Sequence, residues 1–305
     1  MNPFVMNSEF IQYMAAAFLS TAFPRRLSYC IGCHMAEVFC RHDERGRRAV
    51  EANLRTILGF KGQTLTDDEL DRQVCETFRQ FGKYIVDFFR YTRLSRKKID
   101  RLIEIESLQY LEGASSRGKG VILVGAHLGS WEIGGAIVSA LGYPANAVVL
   151  PQTDKRTNAL FQRCRERRGM KVIPFGHAAR ALLHALRAGE TVALMADRDY
   201  SGRSDLAQFF GRQVRLPTGP ARLAVKTGAP IVPTFILRQA DDRFLLRFHP
   251  PINPDGPAST DVVRARICDV LQQEISNHPN QWFMFDDFWS GKNNHALSVT
   301  HGVGA

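Results

Sequence analysis

The stretch Val121-Ile122-Leu123-Val124-Gly125-Ala126-His127-Leu128-Gly129-Ser130-Trp131-Glu132 limits what this chain can fold into more than any other. Its first residues are small or apolar and rich in β-branched side chains, the composition of a strand buried on both faces. Gly129 and Ser130 then supply a tight turn and an N-cap. From Trp131 the chain reads as helix, with Gly134 and Gly135 weakening that reading. A strand, a turn and a helix in so short a span belong to an α/β sheet, whose ligands collect at the carboxyl ends of its strands. His127 lies at such an end. Glu132 falls in the first helical turn, within expected hydrogen-bonding reach of the imidazole. A carboxylate there would fix the tautomer and stabilise the imidazolium of a general base. A histidine at a strand end also serves as a purely structural group, and these two residues alone leave both readings open.

A chain of 305 residues with 45% hydrophobic composition holds one large α/β domain or two small ones around a sizeable core. Its formal charge of +10 asks for an anionic partner: nucleic acid, an acidic membrane surface or a phosphorylated carrier. No basic helix carries interleaved stacking aromatics and no RNA-binding signature occurs, so nucleic acid ranks last. The 6 cysteines lack an even framework spacing and read as free thiols in a reducing cytoplasm. Cys30-x-x-Cys33-His34 has no second pair of ligands, so no metal is expected. No run reaches the roughly eighteen apolar residues of a membrane span. The longest candidate, Met14 to Phe23, is followed by Arg25-Arg26 and lacks the basic start and cleavage site of a signal peptide.

Taken in order, Phe10, Met14, Phe18 and Leu19 make one helical apolar stripe, and Leu27, Ile31, Met35, Val38 and Phe39 make another. Core packing is their first reading. The second is an interfacial face gripping anionic lipid beside Arg41, Arg45, Arg47 and Arg48. Asp67-Asp68-Glu69 opens a further helix with the charge its dipole favours. Gly113 to Gly120 reads as a polar connector into the central strand. Strands over 147–150, 172–175, 191–196 and 244–248 then alternate with helices over 157–168 and 178–188, and a last helix follows residue 260. The expected fold is α/β, a mixed central sheet flanked by helices, with an N-terminal helical portion over 1–112, a core over 113–290 and a disordered tail over 291–305. Arg163, Arg165, Arg167 and Arg168 read as a solvated helix face or as a phosphate or carrier-protein contact. Asp197-Arg198-Asp199-Tyr200 masses polar groups at another strand's carboxyl end, on the same predicted edge as His127. The Arg198 fork suits a phosphate, with ion pairing inside Asp-Arg-Asp as the structural alternative.

His127-Leu-Gly-Ser-Trp-Glu132 resembles the His-x4-Asp/Glu block of the lysophospholipid-type acyltransferases, in the branch of bacterial lipid A and phosphatidylinositol mannoside acyltransferases. Asn53-Leu54-Arg55, the Asp197 to Tyr200 block, Phe209-Phe210-Gly211 with Leu216 to Ala224, the Val232-Pro233 block and Pro279-Asn280-Gln281-Trp282 are similar to further family elements. The resemblance implies that His127, with Glu132, removes a proton from a lipid or glycolipid hydroxyl, which attacks the thioester of acyl-CoA or acyl carrier protein. It implies substrate contacts at Arg198, Asp197, Asp199, Gly129, Trp131, Thr218, Arg222 and Pro233, and neither a cofactor nor a metal. Thr218 and Pro220 open a helix whose amides suit an anionic group. Location is expected to be peripheral, on the cytoplasmic face of the inner membrane and against its anionic surface. A non-catalytic lipid- or carrier-binding protein and a thioester hydrolase are the alternatives.

Overall fold

The computed structural model describes residues 3–92, 95–200, 202, 204–254 and 259–290, so the expected tail from 291 onward lies outside the described residues. The chain opens with helices α1 (Pro3–Ala22), α2 (Arg25–His42), α3 (Glu44–Phe60) and α4 (Asp67–Arg90), and the short α5 (Arg96–Leu102) leads into the sheet. Local chemistry starts two of them. The Asp43 carboxylate accepts from the Gly46 amide at the head of α3. At α4, Thr66 and Glu69 form a reciprocal capping box, each side chain accepting the other's backbone N–H. Helices α2 and α4 cross where bare backbones touch: a Cβ on Gly82 would lie 2.5 Å from the Gly32 carbonyl oxygen. Next to the crossing, Asp87 accepts from Tyr29 at 2.6 Å and is ion-paired with Arg238, a buried cluster that ties this helical layer to the sheet.

The two apolar stripes are divided by that layer. Tyr13 of α1 turns inward onto Phe89 and Phe161. Ile11, Met14 and Phe18 of α1 stay exposed, Phe18 by 65%, as do Leu27, Met35 and Val38 of α2. Core packing therefore accounts for only part of the stripes read from the sequence, Phe39 of α2 meeting Phe78 of α4. Among the described residues no helix is long and apolar enough to cross a membrane.

The central sheet joins β1 (Ile103–Glu106), β2 (Val121–Gly125), β3 (Ala145–Val149), β4 (Lys171–Pro174), β5 (Thr191–Met195), β8 (Ile231–Arg238) and β9 (Phe244–Phe248) in the order β1-β9-β8-β2-β5-β3-β4. Pairing is parallel except between β8 and β9. Strands β6 (Asp205–Phe209) and β7 (Arg212–Leu216) form a separate hairpin, turned by Phe210 and Gly211 at φ 52° and 70°. Two positive φ values suit a two-residue hairpin turn. On one face of the sheet, α6 (Gln109–Ser115) and α7 (Trp131–Ala140) bury Leu111, Ile133 and Ile137. On the other, α9 (Ala178–Arg187), α10 (Gly219–Thr227) and α11 (Thr260–Asn277) bury Leu182, Ala224 and Ile267. Helix α6 takes in residues 113–115, the first three of the expected connector, because Leu111 and Ala114 give it an apolar side that two residues were too few to announce. Between β3 and β4 runs α8 (Lys155–Arg167).

One register decides the site. Strand β5 inserts between β2 and β3, with Gly125 opposite Met195. The residues two beyond each strand, His127 and Asp197, therefore arrive side by side.

Candidate active site

The parallel ladder continues one step past the strands, the Ala196 amide donating to the Gly125 carbonyl at 2.9 Å. Asp197 then faces His127 squarely. Its Oδ1 accepts from the ring Nδ1 at 2.9 Å, and its Oδ2 accepts from the His127 backbone amide at 3.0 Å and from Trp282 Nε1 at 2.9 Å. Asp197 is fully buried. Burial by itself would raise its pKa, but the His127 ring, Arg198 and the Trp282 donor outweigh burial and lower it to about 2. The carboxylate is thus an anion at any ordinary pH. With Nδ1 carrying its hydrogen toward that anion, Nε2 is the ring nitrogen available to a substrate, and His127 lines a cavity of about 940 Å³.

Glu132 does not hold the imidazole, contrary to the sequence expectation. Both its oxygens accept from Arg165, at 3.0 and 3.1 Å from Nε and 2.6 Å from Nη2, and Arg168 approaches to 3.8 Å. Burial would raise the Glu132 pKa, yet these two cations and the nearby His127 hold it below the usual carboxylate range. The space beside the imidazole is taken by Trp131, edge-on to His127 at 5.1 Å and stacked on Tyr84 at 4.3 Å. Arg165 and Arg168 also depart from the reading of the arginines over 163–168 as a solvated face, which holds for the exposed Arg163 and Arg167. Arg168 is buried and donates to the Tyr91 carbonyl at 3.0 Å and to that of Phe88, so two of the four arginines lock the end of α8 onto α4 and α7.

The segment 281–283 closes the loop that carries His127. The Phe283 amide donates to the His127 carbonyl at 2.9 Å, and the Gly129 amide donates to the Gln281 carbonyl at 2.8 Å. The Gln281 side chain pairs with both backbone groups of Arg238, at 2.8 and 2.9 Å. Asn53 of α3 donates to the Met284 and Asp286 carbonyls at 3.0 and 2.9 Å, which fixes the end of the chain against the N-terminal layer. Sequence reasoning marked the Gln281-Trp282 block and gave Trp282 no role. A buried indole N–H needs an acceptor, and that was the available clue.

Several expected substrate contacts prove to be framework. Gly129 has φ 65°, and a Cβ there would sit 2.0 Å from the Ile236 carbonyl oxygen, so the turn requires glycine. Pro233 is buried inside the sheet opposite Val124. Thr218 is buried at the start of α10, and its neighbours Pro217, Gly219 and Pro220 line the cavity in its place. Asp197 lies behind the imidazole as its partner. Trp131, Glu132, Arg198, Asp199 and Arg222 do line the cavity with His127. Arg198 donates from Nη2 to the Phe283 carbonyl at 2.9 Å, while its buried Nε has no hydrogen-bond partner. Arg222 is exposed and only loosely paired with Asp205, at 3.5 Å.

The model of the family described as bacterial lipid A biosynthesis acyltransferase matches residues 4–290. The phosphatidylinositol mannoside acyltransferase of Mycobacterium tuberculosis (strain CDC 1551 / Oshkosh) is 28% identical over 264 residues, covering 83% of this chain and 80% of its own. The lipid A biosynthesis palmitoleoyltransferase of Escherichia coli K12 is 26% identical over 217 residues, 70% of each chain. Among solved structures, the 1-acyl-sn-glycerophosphate acyltransferase of Thermotoga maritima aligns with a TM-score of 0.41 at 14% identity, over 85% of this chain and 99% of that one.

Proposed function

The chain belongs to the bacterial lipid A biosynthesis acyltransferase family, and from that premise we propose that it moves a fatty acyl group from a thioester, on acyl carrier protein or coenzyme A, to a hydroxyl of a lipid or glycolipid acceptor. The observation that carries the reading is the His127–Asp197 pair: a buried anion on Nδ1, leaving Nε2 to the cavity. In the reaction, Nε2 takes the proton of the acceptor hydroxyl as its oxygen attacks the thioester carbonyl. Asp197 stabilises the imidazolium so formed. When the C–S bond breaks, the imidazolium returns the proton to the departing thiolate. Nothing in this sequence of steps consumes a cofactor. Arg198, with a buried donor to spare, binds a phosphate of the thioester carrier or of the acceptor head group. Glu132 acts on the site from behind, by holding α7 and α8 together.

The same reading makes the protein peripheral to the membrane that holds its acceptor. The outward faces of α1 and α2 present Phe18, Ile11 and Met35, and the exposed Arg41, Arg45 and Arg48 follow at the junction of α2 and α3. An apolar face beside a basic cluster suits the interface of an anionic leaflet, the cytoplasmic face of the inner membrane.

The test is transfer itself. The full chain, in mixed micelles with extracted bacterial lipid, is given a thioester of acyl carrier protein or coenzyme A whose acyl group is radiolabelled, and labelled ester is counted. His127→Ala is expected to lower the rate by at least ~10²-fold, the scale of a lost general base. A folded His127→Ala protein with near-normal transfer would sink the proposal, and release of free fatty acid without ester would make the protein a hydrolase.

A further inference from the structure

We infer that Met170, lying against Gly135, is the floor of the acyl-chain slot and sets the longest chain the enzyme accepts; the inference rests on the acyl-transfer reading above. The slot is defined by what is missing. Along α7, Gly135 lies one turn below Trp131, about 6 Å further from the strand ends and deeper between helix and sheet. Facing it, Ala147 of β3 and Ala193 of β5 are register partners that also line the cavity. Three minimal side chains thus clear a channel from the imidazole toward the middle of the sheet.

Met170 ends that channel. It is buried at 6% exposure and still lines the cavity. Its Cε lies 2.6 Å, and its Sδ 3.1 Å, from where a Cβ on Gly135 would stand. The thioether therefore occupies space that any larger residue at 135 would take. Met170 brings no strong hydrogen-bonding group, and Glu132 and Arg165 on the same side neutralise each other. A chamber of this kind recognises hydrocarbon and measures its length. Methionine is also the side chain most easily displaced, since it is unbranched and flexible.

The inference is tested by binding. Non-hydrolysable acyl thioethers of phosphopantetheine, graded from about eight to eighteen carbons, are titrated into the full-length protein by calorimetry. Affinity of the unaltered protein should climb about fourfold per methylene, the value of one buried CH2, up to a break length and then flatten. Met170→Ala removes the three heavy atoms beyond Cβ and should move the break up by about two carbons. Met170→Val, a gentler truncation, should move it the same way by about one. Gly135→Ala drives the thioether into the channel and should shorten the break by about one. A break that stays put in the truncations and in Gly135→Ala overturns the inference, and so does affinity that never depends on length. Transfer measured on the same proteins separates the two levels. Shifted breaks without any ester formation keep the floor and defeat the acyltransferase reading, whereas ester formation with immobile breaks does the reverse.

Discussion

Asp197 and Glu132 are two buried carboxylates beside one histidine, both held below the usual carboxylate range, and the molecule uses them differently. Asp197 ends a strand and gives its oxygens to three N–H donors: the imidazole, the amide of His127 and the Trp282 indole. Glu132 begins a helix and gives its oxygens to a guanidinium from another helix. Both are buried carboxylates, so the partners alone separate the residue that orients the imidazole from the residue that positions a helix. Distance along the chain is a poor guide to which is which, since the partner 70 residues away holds the ring and the one in the next turn does not.

The comparison breaks most visibly at Asp197. Asp197→Asn removes the anion and one acceptor, so the imidazole loses both its fixed tautomer and the charge that stabilises its protonated form. A rate loss on the order of 10³-fold is expected, within the range known for such a change in a histidine–aspartate pair. A rate within tenfold of normal in the folded variant would hand the positioning role back to Glu132.

At Glu132 the expected loss is one of stability. Glu132→Gln leaves Arg165 and Arg168 buried without their counter-charge, and breaking a buried pair costs about 3–5 kcal/mol. Thermal unfolding should come roughly ten degrees lower. At temperatures where the variant stays folded, the rate should fall by less than ~10-fold, the reverse of the Asp197→Asn pattern. A rate loss without a change in Tm would show that Glu132 acts on the chemistry directly.

Acid sharpens the contrast. The folded-state pKa of Asp197 is about 2, against 3.8 for the ordinary group. A depressed carboxylate contributes stability that is complete above the unfolded pKa and is lost as pH falls through the folded one. Between about pH 4 and pH 2 the protein should therefore lose about 2 kcal/mol of stability through this residue. Urea unfolding at a series of pH values measures it, and Asp197→Asn should flatten that part of the curve. Equal acid sensitivity in both proteins would remove Asp197 as the cause.

The smallest effect is expected at Arg198, which belongs to neither carboxylate's set of hydrogen bonds. Arg198→Lys keeps the charge and loses the two-pronged geometry, so the apparent KM should rise up to about tenfold with kcat little changed. Unchanged KM for donor and acceptor would place Arg198 in the scaffold, holding the Phe283 carbonyl.

Most strands were visible in the sequence because apolar runs such as Val121 to Gly125 are short, dense and bounded by glycine. Strands β1, β6, β7 and β8 were not read as strands; β1, Ile103-Glu104-Ile105-Glu106, is four residues at the edge of the sheet and carries too little pattern to stand out. Arg165 and Arg168 depart from the solvated-face reading for a physical reason. A charge run signals solvent only when nothing opposite it is charged, and Glu132 comes from a different helix. The α1 and α2 stripes were legible as apolar faces, but whether a face is covered depends on how many layers the fold builds, and here α4 covers one side of each.

What the sequence determined by itself was the local unit: a buried strand stopping at His127, a tight turn at Gly129 and Ser130, a helix from Trp131, and an excess of positive charge. Those features follow from propensity, sterics and composition, which act over a few residues. The tertiary structure decided which carboxylate serves the histidine. That depends on β5 inserting beside β2 in one register, a long-range pairing whose partners are set by the packing of the whole sheet and leave no mark in the residues on either side of His127.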